Sequence, residues 1–212
     1  NCTPTVDGDL VFALGIDGDL ACCTTADGSL VWTLSYKNDF GVNGKPGWGF
    51  SESPLVDGDR LICTPGNNDS VLACLDKKTG EVIWKTKVAD GQLDGRGHDG
   101  AGYSSVVIGN AGGVKQYVTL IGKGVIGVEA SSGKPLWFYG GVGNGTASIP
   151  TPIVAGEYVF CSSGYGTGSA LIKLNKSRAG FDVQEVYFLD GEKHQNHHGG
   201  MIQKDGYVYC GH

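Results

Sequence analysis

Short apolar runs alternate along this chain with tight polar turns. In the first stretch, apolar runs at 5–6, 10–14, 20–23 and 30–34 are separated by Asp7-Gly8, by Ile16-Asp17-Gly18-Asp19 and by Ala26-Asp27-Gly28. Asp-Gly between apolar runs is a hairpin signal. No stretch carries a helical period, so the pattern predicts four short strands joined by tight turns.

The plan then recurs. Thr3-Pro4-Thr5-Val6-Asp7-Gly8-Asp9 returns as Ser53-Pro54-Leu55-Val56-Asp57-Gly58-Asp59 and as Thr151-Pro152-Ile153-Val154-Ala155-Gly156-Glu157. Gly28 and Trp32, Gly80 and Trp84, and Gly133 and Trp137 repeat a second phrase. A fixed period of this length marks a repeat architecture. Units are expected at about 3–36, 53–88, 104–139 and 151–188, with an incomplete one at 199–212. The third is expected to have a long first turn, Gly109 to Gly113. The fourth is expected to have a long last turn, Asn175 to Gly180, with Tyr187 or Phe188 where Trp would stand. Four antiparallel strands repeated radially make an all-β propeller, each unit a blade burying its faces against its neighbours. Each recurring Trp is expected to anchor two blades, burying about 150–250 Å². The Gly four residues before it is expected to make a positive-φ turn. About four to four and a half blades are expected here, as part of a larger ring.

Composition agrees. Of 212 residues 40% are hydrophobic; 37 are Gly and only 7 Pro, which suits many turns rather than disorder. No apolar run is long enough for a transmembrane helix, and no secretory signal is visible. Asn1 rather than Met opens the sequence, so the natural start is expected upstream. The net charge is -6, and Lys77-Lys78 is the longest basic cluster. Binding nucleic acid needs a basic stripe, so no nucleic-acid partner is expected.

Leu75-Asp76-Lys77-Lys78-Thr79-Gly80-Glu81-Val82-Ile83-Trp84 resembles the tryptophan-docking repeat of the pyrroloquinoline-quinone (PQQ) propeller superfamily. The segment from Val128 to Trp137 matches with Ser132 in the Thr slot, and that from Thr24 to Trp32 matches more loosely. The fourth unit departs, lacking both Thr-Gly and Trp. The resemblance implies seven or eight blades and export to a periplasm or cell surface. It implies one of two functions: a calcium- and PQQ-dependent alcohol dehydrogenase, or a scaffold of the BamB type that holds no quinone.

Cys22-Cys23 is compatible with the vicinal disulfide that the resemblance implies for quinone alcohol dehydrogenases. The repeat register points instead to buried thiols, because Cys22 shares its slot with Cys74 and Cys23 shares its slot with Leu75. Cys63, Cys161 and Cys210 share a second-strand slot, too far apart in successive blades to bridge.

The long links between units carry most of the unusual polar residues, and long loops on a rigid scaffold are where function tends to sit. Trp48, Glu52, His98, Asp99, Asn144, Asn196, His197 and His198 are therefore the candidates for a ligand face. The stretch around His197 and His198 reads as a hydrogen-bond cluster or as a metal or ligand site, but adjacent His residues on extended chain would point opposite ways. Glu52 reads as a loop cap, an Arg96 partner or a Ca²⁺ ligand. His98-Asp99 reads as solvated loop or as an acid–base pair. The Gly-rich stretches at 122–124 and 164–168 open no helix, so they read as hairpins rather than phosphate loops.

Two functions follow: a non-catalytic scaffold or ligand-binding module, or a quinoprotein dehydrogenase fragment. In the second, the resemblance implies a quinone over the central channel, a Ca²⁺ on its carbonyls and an Asp that takes the substrate proton; Glu52, Asn144 and Asp99 are the candidates for such roles, though no family catalytic motif matches them residue by residue. The expected partner is a protein or small molecule on the loop-rich face. Remaining blades would come from a longer chain or a second copy.

Overall fold

The computed structural model describes residues 2–178 and 180–211; Asn1, Ala179 and His212, the expected end of the fifth unit, lie outside the described residues. The first sheet holds β1 (Thr5–Asp7), β2 (Leu10–Leu14), β3 (Asp19–Thr24) and β4 (Leu30–Ser35), antiparallel and in chain order. After α1 (Tyr36–Phe40) comes a second sheet, β5 (Leu55–Asp57), β6 (Arg60–Cys63), β7 (Ala73–Asp76) and β8 (Val82–Lys85). A third follows with β9 (Val107–Ala111), β10 (Val114–Ile121), β11 (Gly124–Glu129) and β12 (Pro135–Tyr139). The fourth has β13 (Ile153–Ala155), β14 (Tyr158–Ser163), β15 (Gly168–Lys176) and β16 (Phe181–Asp190). A two-stranded sheet, β17 (Met201–Lys204) and β18 (Tyr207–Cys210), completes the described chain. This is a β-propeller of four-stranded antiparallel blades.

Three points differ from the expectation. The first turn of the third blade is short: Ala111 pairs with Val114, leaving Gly112-Gly113, both at positive φ, as a two-residue turn. The glycine at 109 lies inside β9, where a Cβ would strike Val154 of the next blade. The last turn of the fourth blade begins only after Lys176, which pairs with Phe181. Finally, Tyr36–Phe40 is helical, a segment too short to show a helical period. Gly41 ends it at φ 68, donating its amide to the Tyr36 carbonyl.

The core is three apolar layers, one between each pair of successive four-stranded blades. Phe12, Leu20 and Cys22 meet Leu61, Cys63 and Leu75 in the first. Ile62, Leu72 and Cys74 meet Tyr117, Ile126 and Val128 in the second. Val118, Leu120 and Val125 meet Val159, Cys161 and Ile172 in the third. Successive strand residues point to opposite faces, so adjacent Leu61 and Ile62 serve two different layers. Runs apolar at every position follow from that double burial.

Two recurring devices join the blades. The Trp32 ring lies over Gly80, where an added Cβ would meet it at 2.8 Å, and its Nε1 donates to the Lys77 carbonyl at 3.1 Å. The Trp84 ring lies over Gly133 in the same way. Trp137 instead covers Gly127 of its own sheet and donates Nε1 to Gln116 Oε1 at 2.6 Å, buried in the third layer. A bulge follows each Trp pair, Cys22 with Trp32, Cys74 with Trp84 and Gly127 with Trp137. In the fourth blade the bulge follows Leu171 paired with Tyr187, which puts Tyr187, not Phe188, in the Trp slot.

The second device explains the repeated hydroxyl residue at the start of each blade. The Thr3 amide donates to Ser53 Oγ at 3.2 Å, the Ser53 amide to Ser105 Oγ at 2.9 Å, and the Ser105 amide to Thr151 Oγ1 at 3.2 Å. Each blade thus hands its first amide to the hydroxyl of the next.

Candidate binding face

Antiparallel blades put the β2–β3 type of hairpin and the blade-to-blade crossovers on one side of the propeller. There the structure has a cleft of about 510 Å³, walled by the crossovers at 42–50, 98–103 and 144–148 and by the hairpin at 65–68. Its shape depends on glycine. The second crossover threads past the hairpin tip of the third blade so closely that a Cβ on Gly97 would come within 1.7 Å of the Gly122 carbonyl, and one on Gly102 within 2.4 Å of the Leu120 carbonyl. Two Cβ-less positions therefore hold His98 and Asp99 over the cleft.

Of the eight residues selected from sequence, His98, Asp99 and Asn144 line this cleft. Trp48 stands beside it, 62% exposed, edge-on to Tyr103, with ring centroids 5.9 Å apart. The Tyr103 hydroxyl accepts from the Trp48 amide at 3.3 Å, and Tyr103 is itself a cleft residue. Asp99 pairs with Lys123 at 2.6 Å rather than with its neighbour His98. Asn144 turns its amide inward, donating to the Ala147 carbonyl and accepting from the Thr146 and Ala147 amides at 2.7–2.8 Å. Asn144 therefore shapes its own loop.

Glu52 does not reach the cleft. It is 3% exposed, and its Oε1 accepts from the Tyr36 hydroxyl at 2.7 Å and the Thr64 amide at 2.6 Å. Oε2 and the neighbouring Thr64 Oγ1 have no hydrogen-bond partner. Desolvation pushes the carboxyl above its usual range despite the two donors, and pushes the Tyr36 phenol up as well. Arg96, the partner considered from sequence, points to the Gly141 carbonyl instead.

Asn196, His197 and His198 sit on the fourth crossover, away from the cleft. Asn196 is buried and closes a turn onto Gly199 in both directions. His197 Nε2 accepts from the Tyr165 amide at 3.1 Å, and its ring packs edge-on to Tyr165. The segment bends, bringing the His197 and His198 rings to 6.1 Å instead of pointing them apart. Sequence reading passed over Tyr36, Thr64, Tyr103 and Lys123. The aromatic of the Trp48–Tyr103 pair comes from a different crossover, and no local motif announces it.

All seven cysteines are free, so Cys22 and Cys23 are thiols. Among the described residues no three of His, Cys, Asp and Glu converge as metal ligands; Glu52 Oε1 is held by Tyr36 and Thr64, and Asp99 pairs with Lys123. No helix of the described residues is long and apolar enough to cross a membrane.

The chain spans 65% of the BamB structure from Moraxella catarrhalis, which covers 98% of it at 13% identity and a TM-score of 0.48. It overlays a europium-containing methanol dehydrogenase at a TM-score of 0.56 and 11% identity, over 88% of this chain and 42% of that one. Quinohemoprotein alcohol dehydrogenase ADHIIG from Pseudomonas putida gives 0.53 and 12%, over 86% and 34%. The two dehydrogenase overlays speak for the propeller fold alone. No curated protein matches the sequence. A family model described as outer membrane protein assembly factor BamB matches residues 2–211, and the chain belongs to that family of PQQ-like repeat propellers.

Proposed function

We propose that the chain is a non-catalytic recognition module, and that its crossover face takes an extended segment of a partner protein. The observation that carries this reading is how the face uses its polar groups. Asn144 and Asp99 are satisfied by their own surroundings, and Glu52 is sealed beneath. Beside the glycine-walled cleft stand exposed Trp48, packed edge-on to half-buried Tyr103, and exposed His98. Exposed aromatics next to a cleft are the usual anchors of protein recognition. The glycine walls offer main-chain groups to an extended peptide without side-chain obstruction. The family description supports a setting at an outer membrane or in a periplasm, with a protein as partner.

The test is a displayed-peptide selection on the full-length protein, repeated with Trp48→Ala. Peptides that bind the wild type and lose about tenfold or more in affinity with the variant support the reading. Selected peptides that bind both proteins equally would place recognition elsewhere.

A further inference from the structure

The carboxylate and ammonium groups of the cleft are spent on their neighbours. Among the described residues, Lys45 and Asp99 are the only Lys, Arg, Asp or Glu side chains that line it. Lys45 pairs with Asp17, and Asp99 pairs with Lys123 at 2.6 Å. A charged partner residue entering here would give up water and meet neither a free carboxylate nor a free ammonium. The cleft therefore selects against charge.

The acceptors of the cleft are largely spent as well. Asn67 Oδ1 receives the Ser70 hydroxyl, and Asn144 Oδ1 receives two amides of its own loop. The carbonyls of Pro46, Gly100 and Ser148 receive the amides of Gly49, Gly122 and Tyr103, and the Gly122 carbonyl receives the Ser148 hydroxyl.

Donors are what is left. The Trp48 indole Nε1 makes no hydrogen bond among the described residues, and an indole N–H can only donate. The Tyr103 oxygen already accepts from the Trp48 amide, so its own hydrogen is free to point at a ligand. Exposed His98 adds a ring N–H, and exposed Asn43 a side-chain amide. A ligand suited to this balance is uncharged, rich in carbonyls and poor in N–H groups. Proline has that chemistry, since each residue keeps its carbonyl and lacks the amide hydrogen.

The shape agrees. The Trp48 and Tyr103 rings stand at 65° with centroids 5.9 Å apart, so they bound a notch rather than a stack. Aromatic-lined grooves are where polyproline II segments dock. Such a segment is already extended and stiff, so it loses little freedom on binding. A cleft of about 510 Å³ has room for about one three-residue turn of it.

We propose that the segment taken by this face is proline-rich and uncharged, bound as a polyproline II helix against Trp48 and Tyr103; the proposal rests on the recognition reading above. Trp48 Nε1 and the Tyr103 hydroxyl donate to carbonyls of the segment, while a pyrrolidine ring fills the notch between the two aromatic rings.

The experiment titrates full-length protein into labelled, end-blocked decaproline, reads fluorescence anisotropy, and repeats with a Gly-Ser decapeptide blocked in the same way. Saturable decaproline binding, about tenfold or more tighter than Gly-Ser binding, is expected. Trp48→Phe keeps a ring and loses the N–H, and is expected to weaken binding about threefold to tenfold. Trp48→Ala is expected to weaken it further. Raising NaCl from about 50 to about 500 mM is expected to change the affinity by less than about twofold, because no ion pair takes part. Four results would each overturn the proposal: no saturable decaproline binding at about millimolar protein, binding no tighter than that of the Gly-Ser peptide, equal affinity in wild type and both variants, or a loss of about tenfold across the salt range. The recognition reading is separable. Trp48-dependent peptides selected without enrichment of proline keep that reading and overturn this one.

Discussion

The Trp84 indole occupies the space that a side chain on Gly133 would need: a Cβ built there falls 2.3 Å from ring atom Cε3. Gly133 also sits at φ +73. Gly133→Ala therefore combines a left-handed backbone penalty with overpacking, and is expected to destabilise by about 2–4 kcal/mol. Gly58, at φ +62 with nothing within 4 Å, isolates the backbone part, and Gly58→Ala is expected to cost only about 1–2 kcal/mol. Urea unfolding of both variants checks the difference, and equal losses would remove the docking role of this Trp–Gly pair.

The indole hydrogen bonds make the Trp positions unequal. Trp137 Nε1 donates to buried Gln116 Oε1, whereas Trp84 Nε1 is buried with no partner. The Ala130 carbonyl in the third blade corresponds to the Lys77 carbonyl that receives Trp32, and it is taken by Arg60. Phe in place of either Trp removes similar volume, but only Trp137→Phe strands a buried acceptor. It is expected to cost about 1–3 kcal/mol more than Trp84→Phe, measured by denaturant midpoint at unchanged m-value.

Glu52 gives a signed pH dependence. Burial raises its folded-state pKa above the ordinary 4.5, so the native state holds the proton more tightly than the unfolded chain. Its contribution is most favourable below that ordinary value and is lost as pH rises through the folded pKa. Glu52→Gln keeps a carbonyl for Tyr36 and Thr64 without the buried charge. The variant is expected to melt higher than wild type at about pH 8, with the gap closing towards about pH 5. A gap that widened on acidification would mean that Glu52 is stabilised as the carboxylate.

The blade-joining amides carry a fourth expectation. Ser105→Ala removes the acceptor of the partly buried Ser53 amide and is expected to cost about 1 kcal/mol. Ser53→Ala removes the acceptor of the exposed Thr3 amide, which water replaces, and is expected to cost less. Thermal unfolding of the pair reads the order.

Strands and turns were legible because the repeat writes them several times, and Asp-Gly and Thr-Gly turns are local chemistry. The slot shared by Cys22 and Cys74 was equally visible, since both face a Trp beside a bulge. The third-blade turn was misplaced because Gly109 looks like a turn glycine, while its actual reason is Val154 in the next blade. The candidate face was only half legible. Sequence marks which links are long and polar, but not that Asn144 spends its side chain on its own loop or that Glu52 lies under α1. Those outcomes depend on contacts between links far apart in the chain.

The central claim is that the crossover face recognises a partner without redox chemistry. Titrating the full-length protein with PQQ and Ca²⁺ tests it most directly, reading quinone absorbance and dye reduction with a primary alcohol. The expected result is no saturable binding at micromolar quinone and no dye reduction. Stoichiometric, calcium-dependent quinone binding with alcohol-dependent dye reduction would contradict it.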